Sequence, residues 1–104
     1  MENKKYKLRF LPMFEDDLNE VVDYIGDHLK NPHAAEKLID EIQGAIQNRL
    51  NNPESFEKYH SVIERQYPYY RIYVKSYTVF YVVIDDVMEV RRLIYNKRNI
   101  TEQI

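Results

Sequence analysis

Apolar and polar side chains alternate strictly over residues 5–11, with Tyr6, Leu8 and Phe10 on one side and Lys5, Lys7 and Arg9 on the other. A period of two predicts a half-buried strand. Pro12 ends that strand and suits the first turn of a helix, and Glu15, Asp16 and Asp17 favour a helix N-terminus through the macrodipole. Phe14, Leu18, Val21, Val22, Ile25 and Leu29 follow at helical spacing. Asn31-Pro32 then reads as an N-cap with proline at the first helical position. Ala35, Leu38, Ile39, Ile42, Ala45, Ile46 and Leu50 form a second apolar stripe, which Asn51-Asn52-Pro53 stops. Two helices joined by so short a link predict an antiparallel hairpin with an apolar face to bury.

The period is lost over residues 54–68, which read as a loop, and returns as β. The segments 69–75, 77–84 and 87–95 are rich in Tyr, Val, Ile and Phe. Lys75-Ser76 and Asp85-Asp86 are the turns between them. In the last segment the alternation fails at Arg91-Arg92, as expected of a strand covered on both faces. The order is β-α-α-β-β-β, and a short tail, 96–104, follows. This predicts an α+β fold, a helical hairpin packed on a mostly antiparallel four-stranded sheet, in a single domain over residues 1–104. Gly26 and Gly44 fall inside the helices, where they are expected to permit close packing.

Composition narrows the chemistry. The chain has 104 residues, no Cys, ten Tyr and a formal net charge of −2. Without cysteine there is neither a disulfide framework nor a Cys-ligated zinc site nor thiol catalysis. No apolar run approaches the roughly 18 residues of a membrane span, and the first residues lack the apolar stretch of a signal peptide. A cytoplasmic protein with no membrane partner is therefore expected. Charge is uneven: residues 1–57 carry −5 and residues 58–104 carry +3, with eight of the ten tyrosines at Tyr59 or later. That asymmetry points to the C-terminal half as the surface that meets an anionic partner, unless the tyrosines simply belong to the sheet.

Standard catalytic sets are missing. His28, His33 and His60 share no helical face; His33 and Glu36 stand at i, i+3, but a turn histidine is far more often solvated than a metal ligand. There is no nucleophile elbow and no phosphate-cradling glycine loop, and Asp85-Asp86 read as turn formers. No metal and no cofactor are expected. What remains is Arg71, Lys75, Arg91, Arg92, Lys97 and Arg98, interleaved with Tyr69, Tyr73, Tyr77, Tyr81 and Tyr95. On a strand, Tyr69, Arg71, Tyr73 and Lys75 would all project from one face, and Tyr77, Val79 and Tyr81 from one face of its neighbour. Such a set can bind phosphates and stack on bases, or form a metal-free RNA-cleaving site. It can equally be the edge of a core with solvated cations.

The segments Tyr70-Arg71-Ile72-Tyr73-Val74, Tyr77-Thr78-Val79-Phe80-Tyr81-Val82-Val83 and Val90-Arg91-Arg92-Leu93-Ile94-Tyr95-Asn96-Lys97-Arg98-Asn99, with Ala34-Ala35-Glu36 at the second helix, resemble the RelE/ParE family of toxins from bacterial type II toxin–antitoxin (plasmid stabilisation) modules. The resemblance spans essentially the whole chain. It implies an antitoxin partner that carries any contact with operator DNA, and one of two mechanisms. A ParE-like toxin binds and poisons DNA gyrase, and Arg91, Arg92, Lys97 and Arg98 would then engage the target. A RelE-like toxin cleaves mRNA on the ribosome without a metal. In that case Arg71, Lys75 and Arg98 would stabilise the scissile phosphate, with Tyr81 or Tyr95 transferring a proton. Thr78, however, stands where RelE-like toxins carry an arginine, and Ile104 falls near their tyrosine. The ParE-like mechanism is the one expected, the nuclease the alternative, and an inactive toxin kept as a corepressor with its antitoxin the second alternative.

Overall fold

The computed structural model describes residues 5–59 and 66–97. Strand β1 (Lys7–Phe10) leads through Pro12 into helix α1 (Pro12–Asp23), and a π-helical turn (Tyr24–His28) continues it. Helix α2 (Pro32–Leu50) follows, then β2 (Tyr70–Val74), β3 (Tyr77–Ile84) and β4 (Val87–Tyr95). The strands form one sheet in the order β1-β4-β3-β2. The β2–β3 and β3–β4 pairs are antiparallel, while β1 lies parallel to β4, with Leu8 opposite Met88. The expected α+β arrangement is present, and β1 makes the sheet mixed.

Local chemistry accounts for the boundaries. Asn31 caps α2 by accepting a hydrogen bond from the Ala34 amide at 3.1 Å, with Pro32 at the first helical position. At the two tight turns Lys75 and Asp85 adopt left-handed backbone, with φ of 56° each. Lys75 thus belongs to the turn and not to the strand. Its ammonium meets Glu41 of α2 at 3.7 Å, so it does not share a face with Tyr69, Arg71 and Tyr73 as the alternation predicted.

Phe14, Leu38, Ile42 and Ile46 pack from the helices onto Tyr70, Ile72, Val74, Val79, Tyr81, Met88, Val90 and Leu93 of the sheet. A smaller cluster, Tyr69, Phe80, Val82 and Ile94, lies on the opposite face, with Tyr59 and Tyr67 against it. The central strands β3 and β4 are therefore covered on both sides, which is why β3 reads as a nearly continuous apolar run. The break at Arg91-Arg92 has a further cause. Phe80 pairs with Arg92 and Tyr81 with Val90, so Arg91 is the extra residue of a β-bulge. The glycines need a second correction: a Cβ on either Gly26 or Gly44 would meet nothing within 4 Å, so neither permits close helix packing. Each simply faces open space. Among the described residues no helix is long and apolar enough to cross a membrane.

Candidate functional site

The bulge sends two neighbouring arginines in different directions. Arg91 donates from Nε to Glu89 at 2.8 Å, and Arg9 of β1 grips the other oxygen of the same carboxylate. Glu89 is buried, so its charge is tolerable only because two guanidiniums bracket it. Burial pushes its pKa up, but hydrogen bonds from Arg91 and Arg9 outweigh that and hold it below the usual value. Arg92 instead meets Asp17 of α1 through two hydrogen bonds, from Nε at 2.7 Å and from a terminal nitrogen at 3.1 Å. The same carboxylate accepts the Leu93 amide at 2.9 Å. Asp17 thus caps the β4 backbone beyond the reach of β1 and fastens α1 to β4. Both arginines at the expected target surface are engaged in holding the fold.

The remaining candidates lie on different sides of the sheet. Arg71 projects from the face opposite the helices, its guanidinium 5.0 Å from the Tyr59 ring centre and 5.7 Å from that of Tyr73. Phe80 receives Tyr59 and Tyr69 edge-on at 5.6 and 5.7 Å, and Arg91 lies 6.0 Å from the Tyr69 ring. A cation–aromatic row therefore runs across this face. Tyr81 is on the other face and has no exposed surface. Its hydroxyl donates to the Pro53 carbonyl at 2.7 Å and accepts from Arg49 at 3.0 Å. Burial raises its pKa, with the Arg49 hydrogen bond and charge opposing. Tyr95 stacks at a tilt on Tyr77, 5.4 Å between ring centres. Lys97 is exposed; Arg98 lies outside the described residues, as do His60 and Ile104. Thr78 is buried and donates to the Asn96 side chain.

Arg49, at the C-terminal end of α2, was not singled out by the sequence reading. It donates to the Tyr81 hydroxyl and, at 2.9 Å, to the Arg71 carbonyl, while its guanidinium lies 3.5 Å from the Phe56 ring centre. It ties α2, the segment that follows it and β2 into one unit. A signal was available: Arg49 falls three positions after Ile46, on the apolar stripe of α2, as Asp17 falls three after Phe14 on that of α1. A charged residue on such a stripe implies a buried partner.

Two connected depressions open at the end of the molecule where the helical turn meets the β2–β3 turn. The larger, about 530 Å³, lies between α1 and its π-helical turn on one side and Tyr77, Leu93 and Tyr95 on the other. The smaller, about 270 Å³, continues past Ile25 and Tyr77 to Lys75 and α2. Tyr24 and Leu29, 53% and 54% exposed, flank this trough. No group of three or more His, Asp or Glu among the described residues is placed to hold a metal.

Comparison with known proteins places this architecture. The fold is similar to that of a chain in the chromosomal ParDE toxin–antitoxin system from P. aeruginosa, with a TM-score of 0.72 at 13% identity, covering 88% of this chain and 97% of that one. It is also similar to a chain of the archaeal RelE–RelB complex from Pyrococcus horikoshii OT3, with a TM-score of 0.52 at 18% identity, covering 90% and 98%. Among curated proteins no sequence matches. At such identities the structural likeness speaks for the fold alone. The sequence model describing the ParE toxin of the type II toxin–antitoxin system parDE matches residues 8–100, nearly the whole chain, and the protein therefore belongs to that toxin family.

Proposed function

We propose that this toxin arrests growth by binding DNA gyrase and not by cleaving RNA, as a single domain held inactive by a cognate antitoxin. The observation that carries this reading is the scatter of the groups an RNA-cleaving site would need. Tyr81 faces the helices with its hydroxyl committed to Pro53 and Arg49, Arg71 faces the opposite side, and Lys75 is paired with Glu41. Proton transfer and phosphorane stabilisation require such groups within hydrogen-bond reach of one phosphate. A target that is only bound needs no such convergence. Lys97 and Arg98 are then the target contacts, supported by an Arg91–Arg92 bulge that fixes the direction of β4. The family match and the antitoxin-bound setting of both structural relatives support an antitoxin partner.

The test is inducible expression without antitoxin, following thymidine and methionine incorporation over the first minutes. DNA synthesis should fall first, with gyrase–DNA cleavage complexes accumulating. An earlier fall in protein synthesis, with mRNA cut on the ribosome, overturns the gyrase reading and establishes the nuclease. If neither falls, the protein is an inactive corepressor.

A further inference from the structure

We infer that the larger groove holds a lysine or arginine side chain of the antitoxin. This deepens the antitoxin reading above and rests on it. The groove combines the two features that recognise an organic cation, aromatic faces and carboxylates in excess of the cations beside them. Tyr77 and Tyr95 form one wall, their rings tilted by 52° at 5.4 Å, and Tyr24 lines the other. Both rings line the groove, so a cation entering it meets aromatic surface. The volume, about 530 Å³, admits a long side chain together with part of the backbone that carries it.

The charge comes from α1. Asp17 and Glu20 line the groove, but Asp17 is neutralised by Arg92. Glu20 makes no hydrogen bond or ion pair with any described residue, although its field is felt at Arg92. Helix α1 carries five carboxylates and neither lysine nor arginine. An anionic occupant would meet an unfavourable field here, whereas a cation gains from both the helix carboxylates and the rings, its aliphatic stem lying against Val21, Ile25 and Leu93. Composition points to an anionic partner for the C-terminal half. At this groove the complementarity runs the other way, with the toxin acidic and the partner basic.

The test uses the full-length toxin and its cognate antitoxin, co-expressed, separated in denaturant and refolded, with affinity measured by calorimetry. Glu20→Gln and Tyr24→Leu alter exposed residues, and a circular dichroism melt confirms that each variant folds. Each should weaken binding about tenfold, a loss of about 1.4 kcal/mol. Glu15→Gln, on the same helix but outside the groove, should leave it unchanged. Replacing each antitoxin Lys and Arg by Met should reveal one position with a similar loss that does not add to that of Glu20→Gln. Wild-type affinity in Glu20→Gln, equal losses in Glu15→Gln and Glu20→Gln, or full additivity at every antitoxin position overturns the cation groove while leaving the antitoxin partnership intact. If the wild-type toxin does not bind the antitoxin at all, the partnership falls and the inference falls with it.

Discussion

Arg49 and Asp17 are the polar residues that join helix to sheet, and both act on backbone groups the sheet leaves unpaired. Arg49→Ala removes donors to the Arg71 carbonyl and the Tyr81 hydroxyl together. The expected loss is about 2–3 kcal/mol, read as a lower urea midpoint at unchanged slope. Tyr81→Phe gives up the hydrogen bond to Pro53 and should cost about 1–2 kcal/mol, while under the proposed gyrase-binding mechanism toxicity on induction persists. Glu89 gives the protein an acid sensitivity. Its folded pKa lies below its ordinary value of 4.5, so the unfolded chain takes up this proton first as pH falls. The stabilisation is present above the ordinary value and is lost as pH drops through the folded one. In Glu89→Gln the melting temperature should be lower at neutral pH and should fall less between pH 5 and 3 than in the wild type.

At the scale of elements, the β4 bulge and the two helices carry the architecture. Strand β1 pairs with β4 only as far as Val90, and beyond it Asp17 accepts the Leu93 amide. Asp17→Ala leaves that amide and the Arg92 guanidinium without their carboxylate, an expected cost of about 2–3 kcal/mol. Hydrogen exchange at Leu93 should accelerate more than exchange in the α2 interior, since the opening is local. Helix α2 offers a gain. A methyl group at Gly44 meets nothing within 4 Å, and glycine is a poor interior helix residue. Gly44→Ala should therefore stabilise the protein by about 0.5–1 kcal/mol, a rise of a few degrees in the thermal melt. A fall in melting temperature would show that this helix face is packed after all.

On the scale of the whole molecule, the two halves of the chain divide surface and core unequally. The acidic half supplies the hairpin and strand β1, and the tyrosine-rich half supplies the other three strands of the sheet. Two arginines of that sheet are engaged internally, Arg91 by Glu89 and Arg92 by Asp17, while Lys75 in the turn meets Glu41 at the surface. A net charge of +3 over residues 58–104 therefore overstates the cation available to a target. Exposed Met13, Tyr24 and Leu29 leave apolar surface that a partner can cover. Antitoxin binding should raise the melting temperature of the toxin in proportion to the logarithm of antitoxin concentration.

Element type and order were legible because each rests on local physics. A period of two at residues 6–10, helical stripes through Phe14 and Ile42, and the Asn31-Pro32 cap all involve neighbours in sequence. The chemistry of the C-terminal half was legible only as composition. Alternation put Arg71 and Tyr81 among candidate catalytic groups, but it cannot say that Tyr81 ends under α2 while Arg71 faces away. Nor could it reveal that Arg91 and Arg92 diverge, since a bulge is set by pairing with β3 and by an acceptor 75 positions away in α1. The sequence by itself determined the elements, their turns and the family. Only the tertiary structure decided which charges cancel, which tyrosines are core and where an acidic groove opens, because those depend on contacts between residues far apart in the chain.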